Sequence, residues 1–230
     1  MGKTVGILGG MGPKATADLL NKIVDLTPAT KDQDHIHIIV DNNPKIPDRT
    51  GYIMGKGENP IGALVETAVR LRNNGVDFII IPCNTAHYFY DKLVEAVEIP
   101  FVNMIEEVGK HIATNFGKCS VGLLATVGTY EGGVYEKYFQ KYGLETVVPT
   151  EEVKDRILDL IYRVKSGESF FEIEELNYIL KDFRKQGVNV VILGCTELPL
   201  VFDPVKEKFK DFNFISSTDI LAEKTVELAK

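Results

Sequence analysis

The chain has 230 residues, 44% hydrophobic and 26% charged, and its net charge is −7 from 26 Lys and Arg against 33 Asp and Glu. That is the profile of a globular protein with room for one or two domains. It argues against nucleic acid as the main partner, and no apolar stretch approaches the length of a membrane span.

The N-terminal apolar run stops at Gly9-Gly10, too short for a secretory signal, so a cytoplasmic location is the expectation. The three cysteines are odd in number and widely spaced, without CxxC or metal-ligand spacing. They are expected to be free thiols, and no metal site is expected.

Val5–Leu8 reads as a short buried strand, after which Gly9-Gly10-Met11-Gly12-Pro13 turns into a helix. Pro13 suits its first position, and Thr27-Pro28 ends the helical spacing of Leu19, Leu20, Ile23 and Val24. Ile36–Val40 is the next expected strand. Asn42 to Asn59 reads as a long loop, the kind that carries function in compact domains. Pro60 opens a second helix that closes at Gly75. Phe78–Ile81 reads as a strand, Asp91–Val97 as a helix, and Phe101–Met104 as another strand.

In the second half, Val121–Leu124 reads as a strand, followed by a Gly-rich turn at Gly128–Gly133 and a helix to about Tyr142. Helices are expected near Glu151–Lys165 and Phe171–Gln186, with Gly187 just past the second. Val190–Leu193 is a strand, Phe212–Ser216 a last strand, and Thr218–Lys230 a closing helix.

Three segments of the first half recur in order in the second. Val5-Gly6-Ile7-Leu8 matches Val121-Gly122-Leu123-Leu124, and Phe101-Val102 matches Phe214-Ile215. Between them, Phe78-Ile79-Ile80-Ile81-Pro82-Cys83 matches Val190-Val191-Ile192-Leu193-Gly194-Cys195, with the cysteines 112 positions apart (195 − 83). The expectation is an α/β protein of two similar, pseudo-symmetric domains with parallel-rich sheets and a site in the cleft between them. The first domain would be 1–103 plus the helix at about 217–230, and the second 104–216.

A thiol at the carboxyl end of a buried strand sits where open α/β sheets place ligands. Two of them, one per half, suit the removal of an α-hydrogen from one face of an amino acid and its return on the other. A thiol has an unperturbed pKa of about 8.5, so it can serve as base or acid near neutral pH. The scheme requires no cofactor. Asn84, Thr85 and Thr196 follow the cysteines and can donate to a carboxylate, and helix N-termini after the strands would support a thiolate. The alternative is packing, since free cysteine is among the most buried residue types; Cys119, which has neither feature, reads as structural or surface.

Other candidates have double readings. The glycine turn is neither a dinucleotide fingerprint nor a phosphate loop; it is a plain turn or a carboxylate contact through backbone N–H groups. Arg49 is a solvated loop arginine or a carboxylate clamp. Lys165 at a helix end reads as surface. Glu197 would hold a substrate ammonium or begin a helix, and His87 reads as a helix-surface or packing histidine.

At these residues the sequence resembles the cofactor-independent aspartate/glutamate racemases, and within them the aspartate racemases. The matching segments are Gly9–Pro13, Pro47-Asp48-Arg49, Pro82–His87, Gly122–Thr126 with Gly128-Thr129, and Gly194–Glu197. The resemblance implies Cys83 and Cys195 as the two bases, and substrate contacts at Asn84, Thr85, Thr196 and Glu197. It implies carboxylate capture by Arg49 and Lys165, with Lys165 closing over the substrate, a pocket lining that includes Met11 and Thr126, and a homodimer. Gly132 departs from the pattern, which has a serine there. The expected activity is interconversion of L- and D-aspartate. The alternatives are a glutamate or broad-specificity racemase, a related decarboxylase or cis–trans isomerase, or a non-catalytic carboxylate-binding protein.

Overall fold

The strands alternate apolar residues between two faces, and both faces are covered. In the computed structural model, which describes residues 2–230, β1 (Val5–Gly9), β2 (Ile38–Asn42) and β3 (Phe78–Ile80) form a sheet in the order β2-β1-β3. The strands β4 (Ser120–Leu124), β5 (Glu145–Val147), β6 (Val190–Leu193) and β7 (Asn213–Ser216) form a second sheet in the order β5-β4-β6-β7. Every ladder is parallel, so the connections must cross over the sheet faces.

In the first half the helices are α1 (Pro13–Leu26), α2 (Arg49–Ile53), α3 (Ile61–Asn73) and α4 (Tyr90–Ala96). Then come α5 (Met104–Phe116), α6 (Val127–Glu131), α7 (Glu136–Phe139), α8 (Glu151–Lys165) and α9 (Ile173–Lys185). The last two are α10 (Pro199–Phe202) and α11 (Ser217–Ala229).

One parity of strand residues builds a shared core. Val5, Ile7, Phe78 and Ile80 of the first sheet join Val121, Leu123, Val190 and Ile192 of the second in a single buried cluster. Met104, Ile105, Val108 and Ile112 of α5 and Ile220 and Leu221 of α11 complete it. The opposite parity faces outward: Leu8, Ile79 and Ile81 pack on Leu64, Ala68 and Leu71 of α3, while Leu124, Val191 and Leu193 pack on residues of α8 and α9.

This alternation places the thiols. Cys83 continues the outward series Ile79, Ile81, and Cys195 continues Val191, Leu193, so both fall in the same relation to their sheets. The residue paired with the opposite face is small in both halves: a Cβ at Gly6 would approach Val76, and one at Gly122 would approach Phe183, each at 3.0 Å.

Several expected elements differ. The long loop contains α2, because the Asp48 carboxylate accepts the Gly51 N–H at 2.6 Å and caps a short helix. Phe101–Met104 is not a strand: Phe101 makes one parallel bridge to Ile79, and Asn103 then caps α5 by accepting the Glu106 N–H at 3.0 Å. The Gly128–Gly133 segment is mostly helix α6, capped by Thr126. β2 begins two residues later than expected, and the three-residue strand β5 and the four-residue helix α10 are too short to leave a periodic signal. The closing helix α11 packs against α1 and α5, and Lys22 of α1 pairs with Asp219 of α11.

Candidate active site

The residues singled out in the sequence converge. Cys83, Cys195, Met11, Arg49, Asn84 and Thr85 line one cavity together with Thr126, Lys165 and Thr196. Its volume is about 10 Å³, enough for about one water. It adjoins an open cleft of about 400 Å³ that shares Met11, Asp48, Arg49, Tyr162 and Lys165 with it. Glu197 lines this outer cleft rather than the inner cavity.

The two thiols are both buried, at 5% and 6% exposure, but their partners differ. The Cys195 thiol donates to Glu197 Oε2 at 3.0 Å. Burial, followed by the Glu197 charge, pushes this thiol well above its ordinary range; Lys165 pulls the other way. Beside Cys83, the His87 ring binds the backbone and not the sulfur. Its Nδ1 lies 2.9 Å from the Cys83 carbonyl, and its Nε2 accepts the Met104 N–H at 3.2 Å. That pairing requires a neutral ring with the proton on Nδ1. Burial pushes the His87 pKa down to about 4, in agreement with that state. Of the two readings of His87, helix surface and packing, the buried ring fits packing.

Arg49 is not a solvated loop residue. As the first residue of α2 it is only 8% exposed, and its Nη1 donates to the carbonyls of Ile46 and Pro47 at 3.2 and 3.0 Å. Its Nε has no partner, and among the described residues it makes no ion pair within 4.0 Å. A buried guanidinium without a carboxylate leaves a donor group open for an anionic ligand.

Lys165 is the last residue of α8 and is exposed as a whole residue. Desolvation opposes its ammonium charge, but Cys195, Glu197 and Cys83 favour it, and the net pKa is raised. Lys165, read from the sequence as a surface residue, is exposed and also lines both the inner cavity and the outer cleft. The surface turn of α8 is held by Arg163, which pairs with Asp159, Glu168 and Glu175 and lies over the Phe171 ring.

Polar residues complete the wall. The hydroxyls of Thr85, Thr126 and Thr129 lie within 2.9 to 3.1 Å of one another. Asn84 is fixed at both ends, accepting from Tyr135 OH at 2.6 Å and donating to Ser217 Oγ at 3.1 Å. These two partners lie 51 and 133 positions away in the chain, so tertiary packing orients Asn84.

Three expectations need correction. Helix dipoles give the thiols less than expected, since only the short 3-10 turn Thr85–Phe89 and the four-residue α10 follow them. The glycine turn does not present all its donors: the Gly10 N–H is bound by Thr16 Oγ1 at 2.9 Å, and that hydroxyl donates to the Gly12 carbonyl at 3.1 Å. Glu197 stands in the turn before α10, not in a helix. At the departure from the family pattern, a Cβ on Gly132 would lie 2.9 Å from the Tyr88 ring, which explains the glycine.

Sequence reasoning missed Asp48, Thr50, Leu158, Ile161 and Tyr162 as lining residues. Leu158, Ile161, Tyr162 and Lys165 lie three or four apart, so one face of α8 forms the wall. Lys165 could have found the others, had its spacing been followed back along the helix.

Two parallel α/β units that set a thiol beside small hydroxyl and amide groups at matching strand ends define a racemase type of architecture. Residues 8–225 match the Asp/Glu/Hydantoin racemase family model, and the chain belongs to that family. It is 30% identical to the broad specificity amino-acid racemase RacX of Bacillus subtilis, over 96% of each chain. Among solved structures it is similar to the Picrophilus torridus aspartate racemase, with a TM-score of 0.87 and 32% identity over 99% of this chain and 94% of that one. An aspartate racemase homologue from Pyrococcus horikoshii aligns with a TM-score of 0.78 and 27% identity over 99% of both chains.

Proposed function

We propose that the chain interconverts L- and D-aspartate by a two-base mechanism using Cys83 and Cys195 without pyridoxal phosphate. The observation that carries this reading is the shared cavity: both thiols line it, together with a buried Arg49 that has no acidic partner. Arg49 and Lys165 take the substrate carboxylates as charge-assisted hydrogen-bond donors. Asn84, Thr85, Thr126 and Thr196 hold the remaining polar edge. One sulfur, as thiolate, removes the α-proton, and the other, as thiol, delivers a proton to the opposite face. The buried contact with Glu197 supports Cys195 as the protonated member at rest, which leaves Cys83 as the resting base.

The test follows the circular dichroism of L-aspartate and D-aspartate with purified protein and no added cofactor. Interconversion from both sides, with solvent deuterium entering the α-position, is expected. Binding of aspartate without exchange would leave a carboxylate-binding protein and end the racemase reading. A broader substrate range is the second reading, favoured by the identity to RacX and by the outer cleft that continues from Met11 and Tyr162. Comparing kcat/KM for aspartate, glutamate and longer amino acids separates the two.

A further inference from the structure

The two-thiol scheme leaves a task undone at the end of each turnover. When the Cys83 thiolate takes the α-proton and the Cys195 thiol gives one, the protein emerges with Cys83 protonated and Cys195 ionised. That form serves only the reverse reaction. Net conversion of one enantiomer requires a proton to return to Cys195 and another to leave Cys83.

We propose that Glu197 is the relay for the first of these transfers, carrying a proton between the water of the outer cleft and the Cys195 thiol; the inference rests on the two-thiol reading. Three observations converge on it. First, Cys195 Sγ and Glu197 Oε2 are 3.0 Å apart and hydrogen-bonded. Second, the two groups face different spaces: Cys195 lines the inner cavity, and Glu197 lines the floor of the wide cleft beside it. Third, the carboxylate is not locked to a fixed cation. Among the described residues it makes no ion pair within 4.0 Å, and its other oxygen rests against Gly12, where a Cβ would come within 3.0 Å. Gly12 also lines the outer cleft, so this backbone leaves room where the carboxylate meets it.

The proton balance closes without any further reactant. After product forms, the Glu197 carboxylate takes a proton from cleft water and passes it to the Cys195 thiolate, which restores the resting pair of carboxylate and thiol. The Cys83 thiol loses its proton to water once product has left the cavity. The first half has no counterpart of Glu197: among the described residues no side chain hydrogen-bonds to the Cys83 sulfur, and His87 holds only its carbonyl. The relay is thus one-sided. Glu197 acts through Cys195 and is a positioning and proton-transfer group for that thiol alone.

The groups facing Cys195 are few. Besides Glu197 they are the Lys165 ammonium and the phenols of Tyr130 and Tyr135, which burial keeps neutral. Arg49 and Cys83 stand on the other walls of the same cavity.

The experiment compares wild type with Glu197→Gln, which keeps the shape but cannot ionise, after far-UV circular dichroism and a thermal melt confirm that the variant is folded. Two rates are measured for each: net conversion of saturating L-aspartate, and exchange of isotopic label between L- and D-aspartate in a racemic mixture. Exchange at equilibrium needs no resetting, because each direction regenerates the form used by the other. The ratio of net conversion to exchange is expected to fall about a hundredfold in Glu197→Gln, the lower range for a proton-transfer group. Glu197→Asp, still ionisable, is expected to recover part of the ratio. A ratio equal to wild type in a folded Glu197→Gln overturns the relay, even if both rates drop together. A wild-type protein inert in both assays overturns the two-thiol reading itself, which is a separate outcome.

Discussion

Cys83 and Cys195 occupy matching places in two matching sheets, yet one is flanked by a neutral imidazole bound to backbone and the other by a carboxylate bound to sulfur. The strand alternation that fixes each thiol's position is the same in both halves. What differs is the residue that follows a few positions later, His87 in one case and Glu197 in the other. Position therefore comes from the duplicated backbone pattern, and the polar contact of the Cys195 sulfur from a side chain outside it. A symmetric scaffold can in this way give its two thiols different surroundings.

Removing either sulfur breaks the comparison most severely. Cys83→Ala and Cys195→Ala are each expected to lower interconversion at least about a thousandfold, within the range for a lost acid or base, as read by circular dichroism of aspartate. If one variant kept near-normal turnover, the halves would not be partners in one reaction. Loss of the clamp comes next. Arg49→Ala is expected to raise KM by about tenfold to a hundredfold, corresponding to about 1.5–3 kcal/mol for a charged hydrogen bond, with a smaller change in kcat. Arg49→Lys should not restore it, because the bidentate fork is lost. An unchanged KM would remove Arg49 from the substrate contacts.

A pH experiment sharpens the contrast between the two flanking residues. The His87 pKa is pushed down to about 4 by burial, so below about 6.5 the unfolded chain binds a proton that the folded one refuses. Stability is therefore expected to fall as pH drops from about 6.5 towards 4, by about 3 kcal/mol from this group. Urea midpoints across that range measure it, and the difference in slope between wild type and His87→Gln isolates the imidazole. Equal slopes would mean that His87 is not the buried neutral ring described above. The smallest effect concerns the turn beneath Glu197. Gly10 has φ +96° and sits against the Asn43 backbone. Gly10→Ala is expected to cost about 1–3 kcal/mol, seen as a lower thermal midpoint.

Much of this arrangement was legible in the chain. Val190–Leu193 and Glu151–Lys165 have the expected bounds because a continuous apolar run and a long amphipathic period are strong signals. The pair of cysteines was legible because the same run precedes each. Other features were hidden because their causes are tertiary. The burial of Arg49 depends on a five-residue helix set by one aspartate cap. The orientation of Asn84 depends on Tyr135 and Ser217, 51 and 133 positions away. The bond from Cys195 to Glu197 joins neighbours in sequence, but nothing in the residue types says which way the carboxylate turns.

Both sheets share one apolar layer, with Val5 and Ile7 in the same cluster as Val121 and Leu123 and with α5 and α11 sealed into it. A bivalve motion that parted the halves would wet that layer, and the hydrophobic effect opposes it. Breathing is then confined to the mouth, where the short α2 and the final turn of α8 carry Arg49, Tyr162 and Lys165. If the proposed clamp is right, the residues at the entrance are also the ones that hold what enters, and the speed of entry and the strength of the hold cannot be tuned separately.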